Sequence, residues 1–547
     1  MDETHRYDGS MSHKSRGTIP LRVEGFLFRY RAYILVILCG CCIAAHYWFI
    51  GFTSWDGLSY RIPPIVEFVQ HGDLGGWKFN YPPAQNFYPF FEWVHVPFLR
   101  LFGLTGLYFS FSLILLPLSI ASVYAFVGEL TGNMRWALYS ALAYLAVPFV
   151  NTQPFSGYID FAVIGALAFF LYALLRILRS DKPSLWSLAI LSLATFIFSM
   201  SRQQTPYLAL LITGVLTGWF IAPWDRSLLA KERRRRLLGR LPVLLVAFAI
   251  GIAPATYLHI GRYLKYGTPI YPYQFKLFNI ATRVGFAQDE AARGAGLIAP
   301  DWRGMLASFR RAWLWPGEWP RDFFDSRLFG AGFFFWFVWI TMPILDDVID
   351  RDTALLLILF VVIAIVAQDF WLPRWSMTLV LAIVVCIGGT LSWLASNGPS
   401  WAYFLLLPAV LVHLVRPVYD IHGMTQRGRN YLRINISESP LFIDSKAAPG
   451  ELKLYPDLDA DFLIIHPVDN EFSLLLYGRE LSNRIVGVLD PAEIEDICTV
   501  TDNVTSDRQT LIVDHRGKLQ NLSIQCKWVC EYPTSGRCLA GRLISEE

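Results

Sequence analysis

Long apolar runs separated by short basic or aromatic-rich stretches set the pattern of this chain. A helix needs about 20 apolar residues to cross roughly 30 Å of hydrocarbon. Runs approaching that length fall at about residues 32–53, 104–128, 136–151, 160–177, 185–200, 205–223, 241–260, 329–347, 353–369, 376–396 and 400–418, which predicts about eleven transmembrane helices. After residue 420 the pattern changes. Apolar runs such as "ADFLIIHPV", "NRIVGVLD" and "QTLIVDH" alternate with Asp, Asn, Gly and Pro, as in a small α/β or mostly β domain.

Two stretches between the runs are too long for plain connectors. Within 54–103, Ile62, Ile65, Val66 and Val69 recur at helical spacing. Tyr60, Arg61, Glu67 and Gln70 fall off that stripe, which predicts an amphipathic helix lying along the membrane surface. Phe87 to Trp93 is aromatic-rich and carries Glu92. The second long stretch is 261–328.

Composition narrows the class. The chain is 54% hydrophobic, 15% aromatic and 17% charged, with mean hydropathy +0.39. A soluble protein carries roughly a quarter charged residues, so the deficit excludes disorder, a nucleic-acid-binding domain and an ordinary cytosolic enzyme. A net charge of +3 points to no acidic partner. The placement of the basic residues says more, because Lys and Arg near span ends stay cytoplasmic. Lys14, Arg16, Arg22, Arg29 and Arg31 precede the first run. Arg176, Arg179 and Lys182 follow the fourth, and Lys231 with Arg233, Arg234, Arg235 and Arg236 follows the sixth. All three clusters share one side if the N-terminus is cytoplasmic.

That topology predicts a basic tail over 1–31, a transmembrane domain over 32–419 with outward loops 54–103 and 261–328, and an extracytoplasmic domain over 420–547. Cys39, Cys41, Cys42 and Cys386 fall in expected spans, where a free thiol behaves as a small hydrophobe. Cys498, Cys526, Cys530 and Cys538 fall in the outward tail, where an even number suggests two disulfides in any of three connectivities, with a zinc site as the alternative.

Three acids stand where chemistry is possible: Asp56 just past the first run, Glu92, and Asp160 at the start of the fourth. Helix capping is a sufficient reason for Asp56 or Asp160. A resemblance shifts the balance. "WDGLSYRIPPIVEFVQHGDL" followed by "YPPAQNFYPFFEW", then "PFSGYIDFAVIGALAFFLY", "SRQQTPYLALL", "RYLKYGTPIYPYQF" and "DFWLPRW" are similar in order and spacing to the outward segments of bacterial GT-C glycosyltransferases. Protein O-mannosyltransferases and lipid A aminoarabinose transferases belong to that superfamily. The chain departs from its pattern at three points. A glycine, Gly57, follows Asp56 where many relatives have a second acid, Arg61 replaces a common His, and Arg374 follows its proline instead of preceding it.

The resemblance implies an inverting glycosyltransferase of the bacterial inner membrane. It would move a hexosyl or pentosyl unit from a polyprenyl-phosphate donor to an acceptor hydroxyl on the periplasmic face. Asp56 would be the catalytic base; Arg202, Arg262, Lys265 and Arg374 would hold the lipid phosphate; Glu92, Asp160, Tyr266 and Tyr271 would contact sugar or acceptor. For each basic residue, a snorkelling interface anchor is the competing reading. No cofactor is expected, the lipid-linked sugar being a substrate, and no divalent metal, since the chain has no HExxH helix, close His/Cys set or Asp-rich loop. The expected partners are membrane lipid, the donor, and a glycan, lipid or protein acceptor. A ligase using a lipid-diphosphate oligosaccharide and a polytopic lipid or sugar transporter remain the alternatives.

Overall fold

The computed structural model describes residues 61–72, 90–147, 150, 153–154, 158–180, 183–221, 228–266, 276–277, 280–281, 303, 349–366, 376–397, 459, 461–465, 481–489, 510–513, 526–534 and 537–545. Ten helices of seven or more residues lie among them. They are α1 (Pro63–His71), α2 (Val96–Phe102), α3 (Leu116–Thr131), α4 (Met134–Ala146), α5 (Asp160–Arg179), α6 (Leu185–Ser201), α7 (Thr205–Ile221), α8 (Leu228–Tyr266), α9 (Arg351–Val366) and α10 (Met377–Asn397). Helices α3 to α10 fall on eight of the expected apolar runs. The runs at 32–53, 329–347 and 400–418 lie outside the described residues.

Among the described residues, four segments are long and apolar enough to cross a membrane: Ser110–Thr131, Asp160–Arg179, Leu238–Leu264 and Met377–Asn397. The first enters α3 through a π-helical stretch, Ser110–Leu115. Helix α8 has 39 residues, roughly 58 Å at 1.5 Å per residue. It therefore runs well past its apolar segment, and its first ten residues carry the arginine run.

The helices pack closely because small residues face one another. A Cβ added to Gly165 of α5 would stand 2.5 Å from Ser119 Oγ of α3, and one added to Gly388 of α10 would strike Ser140 of α4. Between apolar helices in lipid, close backbone approach of this kind replaces the hydrophobic drive available in water. Polar bonds also tie packed helices. Trp136 Nε1 donates to Val385 O at 2.6 Å, Thr378 Oγ1 to Phe360 O at 3.0 Å, and Ser192 Oγ to Ala247 O at 2.8 Å. The core is large and mainly aliphatic and aromatic, with Phe111, Phe126, Tyr139, Tyr144, Phe161, Phe170 and Phe198 fully enclosed.

Helix ends sort into two sets. At one end Arg179 donates to the carbonyl of Leu130 at 2.8 Å and pairs with Asp352 at 3.3 Å. Trp219 Nε1 donates to the same aspartate at 3.2 Å, and Arg351 stacks over the Trp219 ring, 4.7 Å from its centroid. Arg240 reaches Ser180 O at 2.6 Å, Arg135 reaches Ser396 Oγ at 3.3 Å, and Asn133 caps α4. The ends of α3, α5, α7 and α10 and the starts of α4, α8 and α9 thus share one side. Alternation through successive spans requires this, and it leaves Asp160, Arg202 and Arg262 at the other end.

Beyond the helices, β1 (Lys276–Leu277) and β2 (Ile280–Ala281) form a small antiparallel pair. Strands β3 (Asp461–Ile465), β4 (Arg484–Leu489), β5 (Thr510–Val513), β6 (Cys526–Thr534) and β7 (Arg537–Ser545) form one mixed sheet in the order β4-β3-β5-β7-β6. The first three run parallel, and β6 and β7 make an antiparallel hairpin. Cys530 lies opposite Gly541 and Cys538 opposite Pro533, so no two of Cys526, Cys530 and Cys538 face each other directly across the ladder. Cys498 lies outside the described residues.

Candidate active site

Two acid–arginine pairs are buried at the Asp160 end. The first joins the two halves of the segment ahead of the π-helical stretch. Pro63 and Pro64 fit the first turn of α1, where proline's missing N–H costs nothing. Ile62, Ile65 and Val66 are fully buried by packing of that turn. Arg61, immediately before them, is therefore carried inward and is 6% exposed. This departs from the expected amphipathic arrangement, which put Arg61 on the wet face. The apolar stripe turns into the protein, and the arginine at its head goes with it. Its Nη1 donates to Glu92 Oε1 at 3.2 Å.

Glu92 is fully enclosed at the start of a 3-10 turn, Glu92–His95. Desolvation pushes its carboxyl up from 4.5 to about 7, with the Arg61 guanidinium pulling the other way. The 3-10 repeat brings residue i+3 over residue i, which sets His95 above Glu92. His95 is fully buried too, and burial alone holds its ring down at about 3. The ring stays neutral, with Nδ1 2.5 Å from Ser110 Oγ, the first residue of the π-helical stretch. The hydroxyl in turn donates to Leu107 O at 3.0 Å.

The second pair lies at the head of α5. Asp160 is the first helical residue, and its side chain caps nothing: the N-cap is Ile159, which makes no side-chain bond. Its carboxylate instead pairs with Arg202 and accepts from Gln153 Nε2 at 2.7 Å, while Gln153 Oε1 accepts the Phe161 N–H at 2.9 Å. Gln153 thus satisfies an orphan amide of α5 and steadies the acid at once. Arg202 follows the end of α6 in extended conformation. Thr205 fixes it there, its Oγ1 accepting the Arg202 N–H at 3.2 Å and donating to Arg202 O at 2.7 Å. Thr205 and Pro206 then open α7, where proline's missing N–H costs nothing, and "SRQQTP" closes as a tight turn between helices. Arg202 and Asp160 have side chains only 11% and 2% exposed. The snorkelling reading of Arg202 is thereby replaced by a buried ion pair.

Arg262 lies in the last turns of α8 and is 9% exposed, three residues past His259, whose ring meets Tyr207 at 5.3 Å. Lys265 and Tyr266 end the same helix. Asp56, Tyr271 and Arg374 lie outside the described residues. Among the described residues, no group of three or more His, Cys, Asp and Glu side chains is placed to hold a metal. The structure adds Arg61, Gln153 and His95 to the candidates. Arg61 carried a signal, as the charge heading an apolar stripe. Gln153 and His95 carried none that separates them from ordinary core polar residues.

Chemically, two carboxylates and two guanidiniums in a desolvated end of a helical bundle offer proton acceptance together with fixed positive charge.

No family model matches this chain, and no curated protein sequence does. Among solved structures, ArnT from Cupriavidus metallidurans bound to undecaprenyl phosphate aligns over 95% of this chain and 98% of its own, with TM-score 0.53 and 14% identity. The apo state of the same protein aligns over the same shares with TM-score 0.51 and 14% identity. The apo oligosaccharyltransferase of Archaeoglobus fulgidus aligns over 85% of this chain and 66% of its own, with TM-score 0.44 and 13% identity, too loosely to carry an argument. The likeness to ArnT extends over nearly the whole of both chains, and the chain has an ArnT-like fold.

Proposed function

We propose that the chain is a multi-pass membrane glycosyltransferase that uses a polyprenyl-phosphate sugar donor and inverts the anomeric carbon. The observation that supports this best is the pair of buried acid–arginine contacts, Arg61–Glu92 and Asp160–Arg202, at one end of an ArnT-like bundle. An apolar helical protein has little reason to enclose four charged groups at one end unless that end binds something charged, because burying them carries a large desolvation cost.

In this reading the N-terminus is cytoplasmic, about eleven helices cross the inner membrane, and the Asp160 end opens to the periplasm. The sheet over residues 461–545 belongs to an extracytoplasmic domain spanning 420–547. Nucleotide sugars stay in the cytoplasm, so the donor is lipid-borne and its phosphate sits at headgroup depth. The acceptor oxygen attacks the anomeric carbon from the face opposite the phosphate. The carbon–oxygen bond to phosphate breaks, its electron pair stays with the phosphate oxygen, and the acceptor proton passes to Asp56. Arg61, Arg202, Arg262, Lys265 and Arg374 stabilise the departing phosphate. Glu92 and Asp160 act chiefly by holding those arginines in place, with Tyr266 and Tyr271 against the sugar. No cofactor or metal enters this scheme.

The test is mass spectrometry of lipid retained by the purified protein, followed by turnover with that lipid. A polyprenyl monophosphate sugar is the expected species. A diphosphate-linked oligosaccharide indicates the ligase instead, and movement of lipid without transfer indicates a transporter.

A further inference from the structure

The C-terminal sheet touches the candidate site's support at one built contact. Gln70, near the end of α1, donates both protons of its side-chain amide to main-chain carbonyls just ahead of β4, to Leu481 O at 2.8 Å and to Asn483 O at 2.6 Å. Leu481 is left-handed, with φ 60, a conformation that a leucine adopts only where its surroundings impose it. Asn483 is fully buried, and β4 is an edge strand of the sheet. The contact therefore pins the segment that leads into an edge strand.

Helix α1 is a short rigid rod held at three points. Arg61 at its head pairs with Glu92. Phe68 in its body packs edge-on against Trp93 at 4.5 Å, with Arg100 over its other side at 5.9 Å. Gln70 at its tail is held by the sheet. Two of these three anchors fall on the Glu92–His95 turn or its immediate continuation, so a shift of the tail is transmitted to the pair.

We infer that Gln70 is a positioning residue, the strap by which the C-terminal sheet fixes α1 and thereby holds Arg61 against Glu92. The catalytic consequence rests on the transferase reading above; the mechanical one does not. Loss of the strap loosens Arg61, and because that guanidinium holds the Glu92 carboxyl down, its withdrawal moves the acid's titration upward.

The experiment compares the full chain with Gln70→Glu, which keeps size but removes both donors and sets a charge against two carbonyls, and with Gln70→Lys, which keeps donors. Amide hydrogen exchange is read across α1, across Glu92–His95, and across α5 and α10 as controls. Gln70→Glu is expected to speed exchange about tenfold both in α1 and at Glu92–His95, leaving the controls unchanged. Gln70→Lys is expected to restore slow exchange. In a transfer assay the acid limb of the Gln70→Glu pH profile moves to higher pH. Exchange like wild type, or acceleration confined to α1, overturns the inference. If the controls also accelerate, Gln70→Met replaces the glutamate under the same criteria. A wild-type protein that transfers no sugar defeats the transferase reading, and the exchange comparison still decides the strap.

Discussion

Both ends of the helical bundle carry arginine–carboxylate pairs, and the pairs are built differently. At the Arg179 end, the Arg179 and Asp352 side chains are 25% and 32% exposed, and their partners include backbone carbonyls left open at helix ends. This is the ordinary use of charge at a helix C-terminus. At the Asp160 end, the Arg202 and Asp160 side chains are 11% and 2% exposed, and those of Arg61 and Glu92 are 7% and 0%. Screened charges at a rim need no further purpose, whereas enclosed ones are costly to keep. The contrast teaches that the two ends are built differently: one finishes helices, the other holds charge out of water.

The contrast is broken most severely by removing one partner from a buried pair. Arg202→Met leaves Asp160 enclosed without its cation, which costs on the order of 3–5 kcal/mol. A matching fall in stability by thermal unfolding in detergent is expected, with most of it recovered when Asp160→Asn is added, as a double-mutant cycle reads it. A fall that the second substitution does not recover would mean the two charges are not coupled.

Next in size is the pH dependence of Glu92. Its folded value of about 7 lies above the ordinary 4.5, so the folded state holds a proton that the unfolded state has released. Stability from this group is present below 4.5 and is lost as pH rises to about 7. Glu92→Gln should therefore lose less stability than wild type as pH rises across that window, on top of a pH-independent cost from leaving Arg61 without its carboxylate. His95 acts in the opposite sense. Its value falls from 6.5 to about 3, so its contribution is present above 6.5 and lost as pH falls. His95→Gln should gain on wild type toward acid, and thermal midpoints of the three proteins between pH 4.5 and 7 check both signs.

The smallest effect belongs to the exposed end. Asp352→Asn at the Arg179 pair should cost no more than about 1 kcal/mol in the same unfolding assay. A loss comparable to that of Arg202→Met would erase the distinction between the ends.

The sequence made the spans legible because burial in lipid is read from length and hydropathy alone, and α5, α8 and α10 lie on expected runs. The likeness to the ArnT fold was legible from segment order. The pairing of charges was not. Arg61 and Glu92 are 31 residues apart, and nothing in either segment says that one reaches the other. Each acid and arginine looked like a solitary interface charge because their neutralisation is a tertiary fact. Asp160 shows this most clearly. Its place at a helix start suggested capping, but the acid turns sideways to Arg202 and Gln153.

The measurement closest to the central claim is sugar transfer in proteoliposomes from a polyprenyl-phosphate donor, wild type against Asp56→Asn, with donor binding measured alongside. The expected result is turnover by wild type and a loss of roughly 10²–10⁴-fold in the variant, as removal of a general base gives, with donor affinity kept. Turnover by Asp56→Asn at the wild-type rate would contradict the account.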